Sequence, residues 1–251
     1  MTPDATILDL SLRRRSCRVC ALNESCLPAG LDEARLQLLD ASVHDKRALE
    51  RGDVLYRDGD PFRALYVVRS GALKTFSLDA AGNLQVLGFH LPGDIVGFDA
   101  LAEERHVGQA EALERSNLCE LPWARLVELG RDSPTLHRQL LRAAGQSLNT
   151  QHRHVIAMGR GQAQERLAIL LRNLARRYRG LARDENTLNL PMSRSDIANY
   201  LGIVVETVSR LFSRMEERGV LAVNRKTVHI LRPDLLDALA DGETRPRADN
   251  A

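Results

Sequence analysis

Three textures of apolar and polar positions follow one another along the chain. Residues 1–30 carry little periodic pattern, and Leu31, Leu38 and Leu39 then offer one face of a short amphipathic helix around Asp32–Leu39. From about Leu49 to Pro122, short apolar runs alternate with glycine and aspartate turns. The runs are Val54–Tyr56, Leu65–Val68, Ala72–Leu78, Leu84–His90 and Ile95–Phe98. Between them lie Asp58-Gly59-Asp60, Ser70-Gly71, the polar loop Asp79–Asn83 and Pro92-Gly93-Asp94. Short strands with closely spaced turns predict a β-barrel or sandwich of jelly-roll type.

Helical periodicity takes over near Trp123. A short helix is expected over Trp123–Leu129, and Ser133-Pro134 reads as an N-cap with proline at the first helical position. The helix that starts there is expected to reach Met158. Leu141, Leu148 and Val155 recur every seven residues, with Ala144, Gln151 and Met158 three places along. Such a two-stripe seam suits pairing with a second helix. Gln151 weakens it, and the alternative is a helix packed on its own barrel. Gly159 and Gly161 read as a hinge. Residues 163–178 form a further amphipathic helix, with Leu167, Leu170, Leu171 and Leu174 on one side, and 181–190 a loop and short strand.

From residue 191 the pattern is helix, tight turn, helix, hairpin. Ser193 caps a helix with Asp196 three residues on, Ile197, Ala198 and Leu201 face inward, and Gly202 ends it. A second helix runs from about Val205 to a glycine cap at Gly219, burying Val208, Leu211, Phe212 and Met215. Two short strands, Leu221–Val223 and Thr227–Leu231, follow. This is a winged helix-turn-helix. Val205, Glu206, Ser209 and Arg210 share the exposed N-terminal face of the second helix. Their chemistry suits base edges: arginine for guanine, a carboxylate for cytosine, a hydroxyl for either partner, valine for a thymine methyl. Glu206 and Arg210 also have the spacing of a helical ion pair. Arg194, Arg214, Arg218 and Arg225 read as phosphate contacts or solvated charges.

Charge sharpens this division. Residues 160–232 hold 14 Lys/Arg against 7 Asp/Glu, while residues 1–159 hold 19 against 21. A basic C-terminal third suggests a polyanionic partner, double-stranded DNA given the fold of that segment. No run reaches the roughly 18–20 apolar residues of a membrane span, and the N-terminus has no apolar signal segment, so a cytoplasmic protein without membrane contact is expected. In that compartment clustered cysteines more often bind metal than form structural disulfides.

The four cysteines are Cys17, Cys20 and Cys26, close together, and Cys119, 93 residues further on. A distant fourth thiol makes sense as a ligand supplied by folding. Spacing leaves open a zinc site, an iron–sulfur cluster and a Cys17–Cys20 thiol–disulfide pair. The seven histidines suggest no metal pair, and no phosphate-cradling glycine loop, nucleophile elbow or paired-carboxylate motif stands out, so no enzyme is expected.

Taken together, CRVCALNESC at 17–26, SNLCELP around Cys119, GFHLPGDIVGFDAL at 88–101 and SDIANYLGIVVETVSRLFSRM at 195–215 resemble the Crp/Fnr regulators of the FNR type. The resemblance implies an α+β chain: a cyclic-nucleotide-binding-like barrel, a long dimerisation helix and a winged helix-turn-helix. It implies a [4Fe-4S] cluster on Cys17, Cys20, Cys26 and Cys119, lost in oxygen. It further implies a homodimer whose Val205, Glu206, Ser209 and Arg210 read each half of a palindrome like TTGAT-N4-ATCAA, and contact with RNA polymerase near Asp79–Asn83. The expected divisions are a cluster segment 1–30, a sensory domain 31–132, a dimerisation helix 133–158, a DNA-binding domain 159–240 and a flexible tail 241–251. In the cyclic-nucleotide branch an Arg-Ser pair and a Glu hold the phosphate. Here RHVGQAEAL at 105–113 lacks the Arg-Ser step and GFDAL replaces Gly-Glu-Leu, so cyclic nucleotide is not expected. Arg13, Arg14, Arg15 and Arg18 either offset the cluster's charge or form a solvated basic run.

Overall fold

The computed structural model describes residues 16–45, 48–159, 162–180 and 184–242. Arg13–Arg15, the hinge residues Arg160 and Gly161, and the tail from residue 243 lie outside that range. The N-terminal half runs α1 (Glu33–Ser42), β1 (His44–Asp45), β2 (Val54–Tyr56), β3 (Ala64–Ser70), β4 (Leu73–Leu78), β5 (Leu84–His90), β6 (Ile95–Val96), β7 (Gln109–Ala112) and β8 (Asn117–Pro122). Then come α2 (Trp123–Arg131), α3 (Pro134–Met158) and α4 (Ala163–Gly180). The C-terminal domain continues with β9 (Thr187–Asn189), α5 (Arg194–Leu201), α6 (Val205–Glu217), β10 (Leu221–Asn224), β11 (Thr227–Ile230) and α7 (Pro233–Ala240).

The β-strands of the first half form two four-stranded antiparallel sheets, β1-β8-β3-β6 and β2-β7-β4-β5. Tyr66, Val68 and Leu118 from the first sheet meet Leu55, Leu73 and Ala112 from the second in a shared core. This is a jelly-roll-like sandwich of two open sheets rather than a closed barrel. Gly71 makes the β3–β4 turn at φ +80°, where a Cβ would lie 2.4 Å from the Arg115 carbonyl oxygen, so only glycine fits. β6 stops two residues short of the expected Phe98, because Gly97 at φ +106° turns the chain into a short 3-10 segment.

The first sheet is buried on both faces. Its outer side packs Leu65, Val67 and Leu121 against Leu39 of α1, Leu126 of α2 and Leu136 of α3. That is why β3 reads as a continuous apolar run and not as an alternating one. On α1 the inward residue is Leu39. The adjacent Leu38 is 54% exposed rather than sharing the face, since neighbours on a helix point about 100° apart.

The C-terminal core holds Leu167, Leu171, Ile197, Leu201, Val208, Phe212, Met215 and Leu236. β9, β10 and β11 form one antiparallel sheet, and α7, which periodicity did not reveal, closes the domain against α4. Ser193 and Asp196 form a complete capping box at the start of α5. α6 ends at Glu217 with Arg218 as its cap, one residue before Gly219, and the Gly219 and Val220 N–H groups bond back to the Glu216 and Met215 carbonyls in a Schellman arrangement.

Candidate functional site

The alternation of β8 explains how the distant cysteine arrives. Leu118 points into the sandwich, so Cys119 points to the outer face, opposite Val67 in the strand register. The segment 16–31 lies on that face. Cys17, Cys20 and Cys26 open with Cys119 onto one small cavity of about 30 Å³, walled by Leu22, Leu27, Leu39, Val43, Val67 and Leu121. All four thiols are partly buried and unoxidised. Folding therefore brings the four expected cysteines together. They are gathered rather than preset: among the described residues no three Cys, His, Asp or Glu side chains stand in ligand geometry. The donor set fits an iron–sulfur cluster, being four soft sulfurs in an apolar surround.

Burial pushes the Cys17 thiol up to about 12, with the Asp40 carboxylate and the neighbouring Cys26 and Cys119 adding to it. Burial also pushes Cys26 up to about 12, against a hydrogen bond from the Leu27 N–H. At neutral pH both are thiols, and a metal centre must displace their protons to bind. No local pattern pointed to Asp40, whose Oδ1 accepts from the Cys17 N–H at 2.7 Å and fixes the start of the segment. Arg18, the one described member of the basic run, pairs with Glu33 at the N-terminus of α1.

The segment also touches the foot of α3. Gln139 Nε2 donates to the Ala29 carbonyl at 3.0 Å, and the Ala29 N–H bonds to the Cys26 carbonyl at 3.1 Å. Further along α3 the second expected stripe is mixed, with Gln151 exposed and Ala144 and Met158 half-buried. Leu141, Leu148 and Val155 are 61%, 56% and 68% exposed, while Leu140 and Ala143 pack on the chain's own sandwich. His154, on the same helix, stacks on Tyr200 of the C-terminal domain at 4.0 Å. One face of α3 is thus committed within the chain, and the heptad stripe is left to solvent.

On α6, Val205, Glu206, Ser209 and Arg210 are all exposed. Ser209 Oγ donates to the Val205 carbonyl at 3.2 Å, and among the described residues no ion pair joins Glu206 to Arg210. The buried side of α6 anchors this face through Val208, Leu211, Phe212 and Met215. Arg214, Arg218 and Arg225 are exposed, but Arg194 lies over the Phe212 ring at 3.4 Å and is half-buried, a packing role rather than a solvated charge.

In the sandwich, His106 is buried and stacks on Tyr56 at 3.6 Å. Asp99 binds the His106 ring at 3.2 Å and accepts from the Val107 N–H at 3.2 Å. GFDAL and RHVGQ are therefore bonded to each other.

A jelly-roll domain joined through a long helix to a winged helix-turn-helix is the build of a DNA-binding transcription regulator. The Cyclic nucleotide-binding domain family matches residues 46–133, and the Crp-like helix-turn-helix domain family matches residues 165–239. The Transcriptional activator protein Anr of Pseudomonas protegens is 43% identical over 226 residues, 90% of this chain and 93% of that one. The Fumarate and nitrate reduction regulatory protein of Salmonella typhimurium is 38% identical over 229 residues, 91% of each chain. Among solved structures, FixK2 from Bradyrhizobium japonicum superposes with a TM-score of 0.71 at 27% identity, covering 78% of this chain and 96% of that one. The chain belongs to the Crp/Fnr family of transcription regulators and is not an enzyme.

Proposed function

We propose that this protein is an oxygen-responsive activator that dimerises and binds palindromic DNA when a [4Fe-4S] cluster is held by Cys17, Cys20, Cys26 and Cys119. The observation that carries the reading is the meeting of four thiols from two distant parts of the chain on one apolar cavity, beside the foot of α3. Bound there, the cluster supplies an oxygen-sensitive crosslink between segment 17–26 and strand β8. The Ala29–Gln139 contact then passes the position of the segment to α3. The exposed Leu141, Leu148 and Val155 stripe pairs with a second copy, setting two α6 helices about one DNA turn apart, roughly 34 Å.

Val205, Glu206, Ser209 and Arg210 read the half-sites of a TTGAT-N4-ATCAA-like palindrome. The Asp79–Asn83 loop is the surface for RNA polymerase; Asp79 braces it by accepting from the Ala81 and Asn83 N–H groups at 2.9 and 2.8 Å. Cyclic nucleotide is not the effector, a reading supported by the His106–Tyr56 stack and the Asp99 bonds that join the two phosphate-holding segments. The cytoplasm suits such a regulator.

The test is purification without oxygen. The protein should be brown, contain iron and sulfide in equal amounts, and bleach in air with loss of DNA binding; Cys119→Ala should be colourless and fail to bind the palindrome. Zinc in place of iron, or a metal-free protein with a reversible Cys17–Cys20 disulfide, overturns the proposal.

A further inference from the structure

β5 is the edge of its sheet, so one side of its backbone has no strand partner. Asn199 of α5, in the other domain, fills that place with its side chain. Its Oδ1 accepts from the Val86 N–H at 2.6 Å, and its Nδ2 donates to the Leu84 carbonyl at 2.6 Å. Gln85 Nε2 returns a bond to the Asn199 carbonyl at 3.2 Å. The amide thus does for two backbone groups what the next strand of a sheet does. Neither alanine nor aspartate can replace it, since one lacks both groups and the other lacks the donor.

A second tie lies close by. Lys74 of β4 is 9% exposed, with Nζ 3.0 Å from Asp196 and 3.3 Å from Glu111. Asp196 is also the carboxylate of the α5 capping box. One side chain therefore closes the first turn of the helix-turn-helix and grips the sensory domain. Around these bonds Phe89 packs on Tyr200 at 5.0 Å, and Val86, Phe89 and Leu91 join the core of the C-terminal domain.

The geometry points to Asn199, with the Lys74–Asp196 bridge, as the positioning joint that sets the angle of the recognition helix relative to the sensory domain. Asn199 is a positioning residue here; it lies on α5, not on the exposed reading face of α6. In a two-fold dimer, the rigidity of this joint fixes the distance between the two recognition helices and so the spacer length the protein accepts. The inference rests on the dimeric, palindrome-reading function proposed above.

The experiment measures binding of the full chain, purified without oxygen, to palindromes whose half-sites are held constant while the spacer varies from two to six base pairs. Wild type should prefer one spacer sharply. Asn199→Ala should bind that spacer about ten-fold more weakly, the effect of one or two lost buried hydrogen bonds, and lose little further at the neighbouring lengths. Lys74→Met attacks the joint from the sensory side with the α5 cap intact and should flatten the profile in the same way; it decides the matter where Asn199→Ala fails to fold by circular dichroism. Spacer profiles of wild-type shape in a folded variant overturn the joint, however far overall affinity falls. Wild type that binds none of the palindromes overturns the proposed function instead.

Discussion

At Arg210 the guanidinium stands exposed near the start of α6, with no carboxylate partner among the described residues and one helical turn from Glu206. An arginine so placed can donate both bonds to one guanine. Arg210→Ala should therefore cost about 1–3 kcal/mol at one base pair of each half-site and little elsewhere. Competition binding across single-base variants of the palindrome checks this; equal weakening on all sequences assigns Arg210 to phosphate. The exposed placement of Arg210 on α6 was legible because it follows from local spacing. The Cys17–Cys26 run, the Ser193 cap and the buried stripe of α6 all act within a few turns of themselves. Asp40, Lys74 and Asn199 were not legible, because each acts on a partner that only folding brings near: 23 residues away for Asp40, 122 for Lys74 and more than 100 for Asn199. The packing of Arg194 over Phe212 was hidden for the same reason, since it depends on how α5 crosses α6.

Among the elements, α3 shows how far periodicity reaches. Its heptad stripe offered either a partner helix or the chain's own sandwich; in the single chain a neighbouring face takes the sandwich and the stripe itself stays exposed. Leu140 and Ala143 pack inward, whereas Leu141, Leu148 and Val155 remain exposed in the single chain. Leaving three such side chains in water is unfavourable by roughly 1.5–3 kcal/mol each relative to burial, which favours a paired state. Leu148→Asp places a carboxylate at the middle of that stripe. It should shift the protein to monomer in analytical ultracentrifugation and abolish palindrome binding while the melting temperature of the single chain stays within a few degrees; unchanged dimer at micromolar concentration removes the stripe from the interface. Other elements were hidden by length or by glycine. β1 is two residues long, too short to carry an alternation, while β6, expected over Ile95–Phe98, is cut short by Gly97. α7 is an eight-residue helix whose buried face, Leu236, Leu239 and Ala240, completes barely two turns.

For the whole molecule, the hydrophobic core of the C-terminal domain extends into β5, so the jelly-roll and winged-helix halves share buried surface. His90 stands at the end of β5, where its Nε2 lies 3.0 Å from Thr75 Oγ1. Burial holds its ring down at about 4, opposed by Asp94 and Asp99 and assisted by Arg177. The folded state thus refuses a proton that the unfolded chain accepts below its ordinary value near 6.5. Stability is full above about 6.5, falls as the pH drops from there towards 4, and falls no further on this account below 4. His90 is half-buried as a residue, so the loss is on the order of 1–2 kcal/mol rather than the full equivalent of the shift. Urea unfolding of His90→Gln should lose less stability than wild type between pH 6.5 and 4.5, with the two curves parallel above pH 7. Because β5 carries both this ring and the Asn199 contact, wild type at pH 5 should also loosen its spacer preference before it unfolds, and His90→Gln should not. Parallel curves through the whole range would mean that the ring takes up its proton without disturbing the strand on which the two domains meet.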